Sequence, residues 1–312
     1  MSKIYAIALN TFKEAVRNRI LYILLIFALV LMGSSGIISD LSIAEPEKIV
    51  KDLGLAGINF FGLLIAIFIG IGLVYNELDK RTIYTIVSKP IDRYQFLLGK
   101  YLGLLLTIYV NVAIMTLFFL CTVHFQAITS SSELEKMLFP NGELVPNVGT
   151  VKTLFFAKAF GLAGLRGAGN FFGLYSIPQT QNIIPVVLYT CLELAVITAF
   201  AVLYSSFSTP TLSAIFTVLT FICGRLNEDI VRYAWRLHDK GPELTTMGTQ
   251  IKYYLALGAA HIAPNLGLFN KFTEAIYAQK VSFDFYTVAY GFTYSAFILM
   301  LSMVIFRRRN FK

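Results

Sequence analysis

Six apolar runs set the terms for this chain: Ile20–Ile38, Ile58–Tyr75, Phe96–Val123, Ile183–Phe207, Thr211–Gly224 and Phe285–Phe306. Most reach the ~20 residues that a helix needs to cross a hydrocarbon core of ~30 Å. Thr211–Gly224 is shorter. It lengthens backward through Ser208 and Thr209, or forward past Arg225 if that side chain snorkels. The runs show no strict alternation, which argues against a transmembrane barrel. Composition agrees: of 312 residues, 56% are hydrophobic and only 14% charged, too little charge to cover a soluble domain of this length. The expectation is an all-α polytopic membrane protein, one transmembrane domain over 1–312 with about six spanning helices.

The N-terminus lacks a short apolar core followed by a small-residue cleavage site, so no cleavable signal peptide is expected. Residues 2–19 read instead as an amphipathic helix lying in the membrane interface. Ile4, Ala8, Phe12, Val16 and Ile20 recur at every fourth position, with Lys3, Lys13, Arg17 and Arg19 among them to meet anionic headgroups. Cys121, Cys191 and Cys223 fall in or beside apolar runs and read as small hydrophobes. The net charge of +8 does not point to nucleic acid, because the basic residues flank spans and form no patch interleaved with aromatics.

Lysine and arginine near span ends set orientation. With the N-terminus inside, Lys80, Arg81, Lys89, Arg93 and Lys100 are cytoplasmic. So is the terminal RRRNFK, provided the number of spans is even. Outside lie a short loop around Glu45–Glu47, a long loop over 126–182, and a third segment over 225–284. The long loop begins polar (TSSSELEK) and becomes apolar and Gly-rich; a loop of that length usually carries function or disorder. The third segment opens on a charged helix whose Arg225, Glu228, Asp229, Arg232 and Arg236 read as a solvated face with i,i+4 pairs. A moderately apolar stretch, Tyr253–Phe269, follows. It is short for a span and is expected to form a re-entrant hairpin between the last two spans. A seventh span there would put RRRNFK outside.

The most defined polar stretch is NELDKRTIYTIVSKPIDRYQFLLGK, residues 76–100. Glu77 and Arg81 stand one helical turn apart and share a face. Pro90 stops a short helix and biases Lys89 away from α geometry. Asp92 suits the cap of the next helix, which carries Arg93 and runs through Gly99-Lys100 into the third span. A compact helix, a proline break and immediate re-entry make a rigid knob.

This stretch resembles the cytoplasmic segment of the type 2 exporter permeases, the membrane subunits of ABC transporters. The matching residues are Glu77, Arg81-Thr82, Lys89-Pro90, Arg93 and Gly99-Lys100. The leading helix NTFKEAVRNRILYILLIF, the ending VIFRRRNF and the weakly apolar stretch before the last span are similar to the family as well. The long loop 126–182 resembles the branch serving nitrous-oxide-reductase maturation and gliding machinery. The resemblance implies a cytoplasmic coupling segment over 76–95. In it Glu77, Lys80, Arg81, Thr82, Lys89, Pro90, Arg93 and Lys100 would dock on a separate ABC ATPase subunit. It also implies a second, identical permease chain, a bacterial or archaeal cytoplasmic membrane, and ATP and Mg bound by the partner ATPase. This chain is then not an enzyme and binds no cofactor itself. It has no phosphate-binding loop: Gly99-Lys100 runs into Tyr101, and Gly164–Gly169 has no lysine. A periplasmic partner is a candidate ligand of loop 126–182.

Glu193, in the middle of the fourth run, is the one acidic residue at that depth. It reads equally as a substrate-pathway residue or as a carboxyl bonded between helices. His124, His238 and His261 have no metal-ligand spacing, and no metal site or catalytic triad is expected. Two rival readings are a polytopic intramembrane enzyme, with Glu193 and His261 as an acid–base pair, and a scaffold that passes ATPase force to a periplasmic partner.

Overall fold

A computed structural model describes residues 3–40, 46–79, 92–129, 182–239, 247–277 and 281–308. Among the described residues every long element is a helix and there is no strand. In chain order these are α1 (Lys3–Val16), α2 (Arg19–Asp40), α3 (Pro46–Asp79), α4 (Arg93–Thr129), α5 (Ile183–Ser205), α6 (Pro210–Arg225), α7 (Asn227–Asp239), α8 (Met247–Ile262), α9 (Phe272–Ile276) and α10 (Phe285–Arg308). A 3-10 turn, Gly267–Phe269, stands before α9.

Five of these helices are long and apolar enough to cross a membrane: α2, α3, α4, α5 and α10. The fifth apolar run of the sequence becomes α6, which has 16 residues. Its ends are set locally. Pro210 occupies the first helical position, where its missing N–H costs nothing, and Thr209 before it is extended. At the other end the helix closes at Arg225, and Leu226 turns the chain into α7. The forward extension past Arg225 is therefore not used.

α5 is the hub. It packs against α3, α4, α6 and α10, and 83% of it is buried, against 22% for α2 and 28% for α10. The core runs along it from Ile183 to Leu203 and takes in Ile58, Ile65 and Ile69 of α3 and Leu104, Ile108 and Met115 of α4. The outward faces of α2 and α10 carry Ile23, Phe27, Val30, Phe297, Met300 and Val304, a surface suited to lipid.

The entry to α10 is tied down by polar contacts. Asp284 precedes its first turn; its carboxylate accepts from the Tyr286 N–H at 3.1 Å and from the Thr287 hydroxyl at 2.6 Å. The Tyr189 hydroxyl of α5 accepts from the Asp284 N–H at 2.7 Å and donates to the Ser282 carbonyl at 3.3 Å. The Thr287 hydroxyl, the Tyr286 N–H and the nearby Lys271 ammonium hold the Asp284 carboxyl below the usual carboxylate range. A lowered folded-state value means stability that is present above the unfolded value, near pH 4, and lost as pH falls through the folded one. Asp284→Asn should therefore lower thermal stability at neutral pH and flatten the acid limb of the profile, so that variant and wild type converge below about pH 4. An unaltered acid limb would contradict this cap.

Candidate functional site

The expected coupling segment begins at the end of α3 and closes at the start of α4. Glu77 lies in the last turn of α3 and Arg93 is the first residue of α4. Lys80, Arg81, Thr82, Lys89 and Pro90 lie outside the described residues, as do the side chains of Glu77 and Arg93 and nearly all of loop 126–182. Asp92 stands directly before α4, and its carbonyl accepts from the Phe96 N–H at 3.2 Å. Lys100 is internal, with 1% exposure, and its Nζ lies 5.8 Å from the centre of the Phe96 ring. Phe96 in turn stacks on Phe306 of α10 at 6.4 Å. Lys100 is thus enclosed at the base of α4, beside the aromatic pair that joins α4 to α10.

What does occupy the base of α4 is α1. The two helices form the most extensive helix pair among the described residues. The contact face of α1 is built largely from small residues. Thr11 and Ala15 are the residues buried there, with Ile7 and Ala8 beside them. The reason is on α4. Gly99 and Gly103 stand one turn apart, and a Cβ on Gly103 would lie 2.5 Å from the Ala8 carbonyl and 2.6 Å from Thr11 Cβ. Small residues on both helices let the backbones approach. α1 is thus a docked element of the helix bundle at the point where the chain leaves the segment 80–91.

A second constellation lies inside the bundle. Glu193 of α5 is 1% exposed. Its Oε2 accepts from Arg225 Nη2 at 2.9 Å and from Asn59 Nδ2 of α3 at 2.8 Å. Its Oε1 lies 2.8 Å from Arg225 Nε, an ionic contact without hydrogen-bond alignment. The guanidinium sits between the rings of Phe221 and Phe272, at 5.5 and 5.6 Å. Arg225, read from sequence as part of a solvated face, is instead the inward-turned last residue of α6. Of the remaining charges on that face, Arg232 pairs with Asp229 at 2.6 Å in the open, at i,i+3 rather than i,i+4.

The residues around Arg225 bind the following segment. The Gly224 carbonyl accepts from the Leu266 N–H at 3.0 Å. Asn227 Nδ2 donates to the carbonyls of Ala260 at 2.7 Å and Ala263 at 3.1 Å, which serves the end of α8 where intrahelical donors run out. The Tyr290 hydroxyl of α10 accepts from the Asn265 N–H at 2.8 Å. The stretch expected as a re-entrant hairpin is thus α8 followed by an irregular turn over 263–271, held by α5, α6 and α10. The His261 side chain lies outside the described residues. Among the described residues no group of three or more His, Cys, Asp or Glu side chains is placed to hold a metal, and the three cysteines are free.

These features define an all-α protein with several apolar helices fit for a membrane, built round one buried helix that carries a paired charge. A comparison with protein-family models and one with curated proteins each give no match.

Proposed function

We propose that the chain is the membrane-spanning permease subunit of an ATP-driven ABC exporter in a bacterial or archaeal cytoplasmic membrane, with both termini in the cytoplasm. It works as a pair of identical chains and couples to a separate ABC ATPase that binds ATP and Mg. The observation that carries the reading is the residue pattern Glu77, Arg81-Thr82, Lys89-Pro90 and Arg93. The structure supports it by position. The pattern is bracketed by the ends of two long helices, and α1 is packed on the second of them at Gly99 and Gly103. A push on residues 80–91 would meet tightly packed helices and pass into the bundle as movement of α3, α4 and α1 together. Glu193 has the geometry of a carboxylate held between helices. Its two polar partners argue against the free acid–base group that an intramembrane enzyme would need.

The test is co-purification with an ABC ATPase co-expressed from the same genome, wild type beside Glu77→Ala/Arg81→Ala. Wild type should retain the ATPase and stimulate its turnover. The double variant should lose at least tenfold of the stimulation while remaining folded in detergent. Equal behaviour of the two would leave residues 76–95 as a topology anchor only.

A further inference from the structure

We propose that a water-filled recess enters the molecule along the charged face of α7 and ends on the Arg225–Glu193 pair. The starting observation is depth. α5 and α6 are antiparallel neighbours: Ser208 Oγ meets Ser213 Oγ at 2.6 Å where they join, and Tyr204 Oη at the end of α5 reaches Thr220 Oγ1, ten residues beyond Pro210 in α6, at 2.7 Å. From that common end, the 23 residues of α5 rise about 34 Å, whereas the 16 residues of α6 rise about 24 Å. α6 therefore stops about 10 Å short of the far end of α5. Glu193 confirms the level, since it lies near the middle of α5 and still reaches Arg225.

α7 starts at that level, and its first turn carries Glu228 and Asp229. One turn of helix later stand Arg232 and then Arg236, both exposed. The Arg232 and Asp229 side chains are 66% and 63% exposed. A helix angle of 100° per residue puts Glu228, Asp229, Arg232 and Arg236 on one arc, with Tyr233 and Trp235 at its edges. Ala234 and Asn227 point the other way and are buried. Four charges beginning about 10 Å below the rim cannot face hydrocarbon, where each is costly. Irregular backbone at such depth, like that of 263–271, is tolerated where protein buries it or water lines it. The Arg225 side chain, 18% exposed beside a partner at 1%, is the point where water meets the buried charge. The recess opens at the Ile183 end of α5, the outer side in the orientation proposed above. Its existence does not depend on that orientation or on an ATPase.

The experiment is thiol labelling of the full chain in lipid nanodiscs, where both faces are open and sidedness plays no part. In a background with Cys121, Cys191 and Cys223 replaced by serine, single cysteines are placed as Glu228→Cys, Asp229→Cys, Ile215→Cys and Leu219→Cys. The probe is a charged, membrane-impermeant methanethiosulfonate. Ile215 and Leu219 are exposed apolar residues of α6 and serve as lipid-facing controls. The base positions 228 and 229 should react at least tenfold faster than 215 and 219. A fifth variant, Glu193→Gln with Arg225→Cys, leaves no lone charge and should react within tenfold of position 229. Rates at 228 and 229 as slow as at 215 and 219 would overturn the recess. So would blockage in nanodiscs that is relieved in detergent monomers, which would assign the face to a second chain. If the fifth variant fails to fold, positions 228 and 229 decide alone.

Discussion

Arg225→Met should lower the unfolding free energy of the chain in mixed micelles by about 3–5 kcal/mol, because it strips a buried carboxylate of its ion partner. Glu193 would keep only the Asn59 amide at 2.8 Å. The cost is that of an uncompensated charge and is not the net worth of the pair. The double variant Glu193→Gln/Arg225→Met separates the two. It removes both charges and leaves a side chain that Asn59 can still meet. Its stability should return to within about 1.5 kcal/mol of wild type, since neutral replacement of a buried pair is often tolerated. Denaturant unfolding of the wild type, both single variants and the double variant closes the cycle. A loss below 1 kcal/mol for Arg225→Met, on the order of an exposed pair, would refute the buried geometry.

Gly103→Val should detach α1 from α4. Even a Cβ alone would meet the Ala8 carbonyl at 2.5 Å, and the backbone of α1 cannot yield as a flexible side chain would. The branched side chain adds two more atoms to that clash. Overpacking of this kind typically costs about 1–3 kcal/mol, enough to favour an undocked α1 over a strained bundle. Limited proteolysis at Lys3, Lys13 and Arg17 is the direct readout: the variant should be cut at least tenfold faster, with the spanning core intact. Gly103→Ala should show a smaller effect in the same direction. Unchanged proteolysis of the valine variant would mean that α1 is held elsewhere. A docked α1 is also what the proposed coupling requires, so the same variant should lose stimulation of the ATPase.

The spans were legible because hydropathy is summed over some twenty residues and few alternatives satisfy it. Ile183–Phe207 appears as Ile183–Ser205 and Phe285–Phe306 as Phe285–Arg308. α3 is longer than its apolar run. Starting at Pro46, it carries Lys48, Lys51 and Asp52 within one continuous helix, and hydropathy has no view of a charged turn that continues a helix. α1 was legible as a helix but not in its contact face. Ile4, Ala8, Phe12, Val16 and Ile20 are the large or regular positions, while the face that docks is set by small residues, Ala8, Thr11 and Ala15, against Gly99 and Gly103. The four-residue spacing of the two glycines was a usable signal. Glu193 stood out as an ionisable residue in an apolar run. Its partners did not: Asn59 lies 134 residues away and Arg225 lies 32 away, at the edge of a charged stretch that looks like an ordinary solvated helix. No local pattern marks one end of a tertiary ion pair.

The order in which the ion pair's members are synthesised matters for assembly. Asn59 is already synthesised when Glu193 leaves the ribosome, but Arg225 follows 32 residues behind. At the usual ~5–20 residues per second of translation, the carboxyl waits roughly 2–6 s for its cation. Through that interval α5 is a hub without its last neighbours, α6 and α10, and carries an ionisable group into the insertion machinery. Asn59, a neutral donor made 134 residues earlier, is the partner in the finished site that already exists through that interval. Loss of Asn59 would be felt in yield during biogenesis more than in the stability of the finished protein.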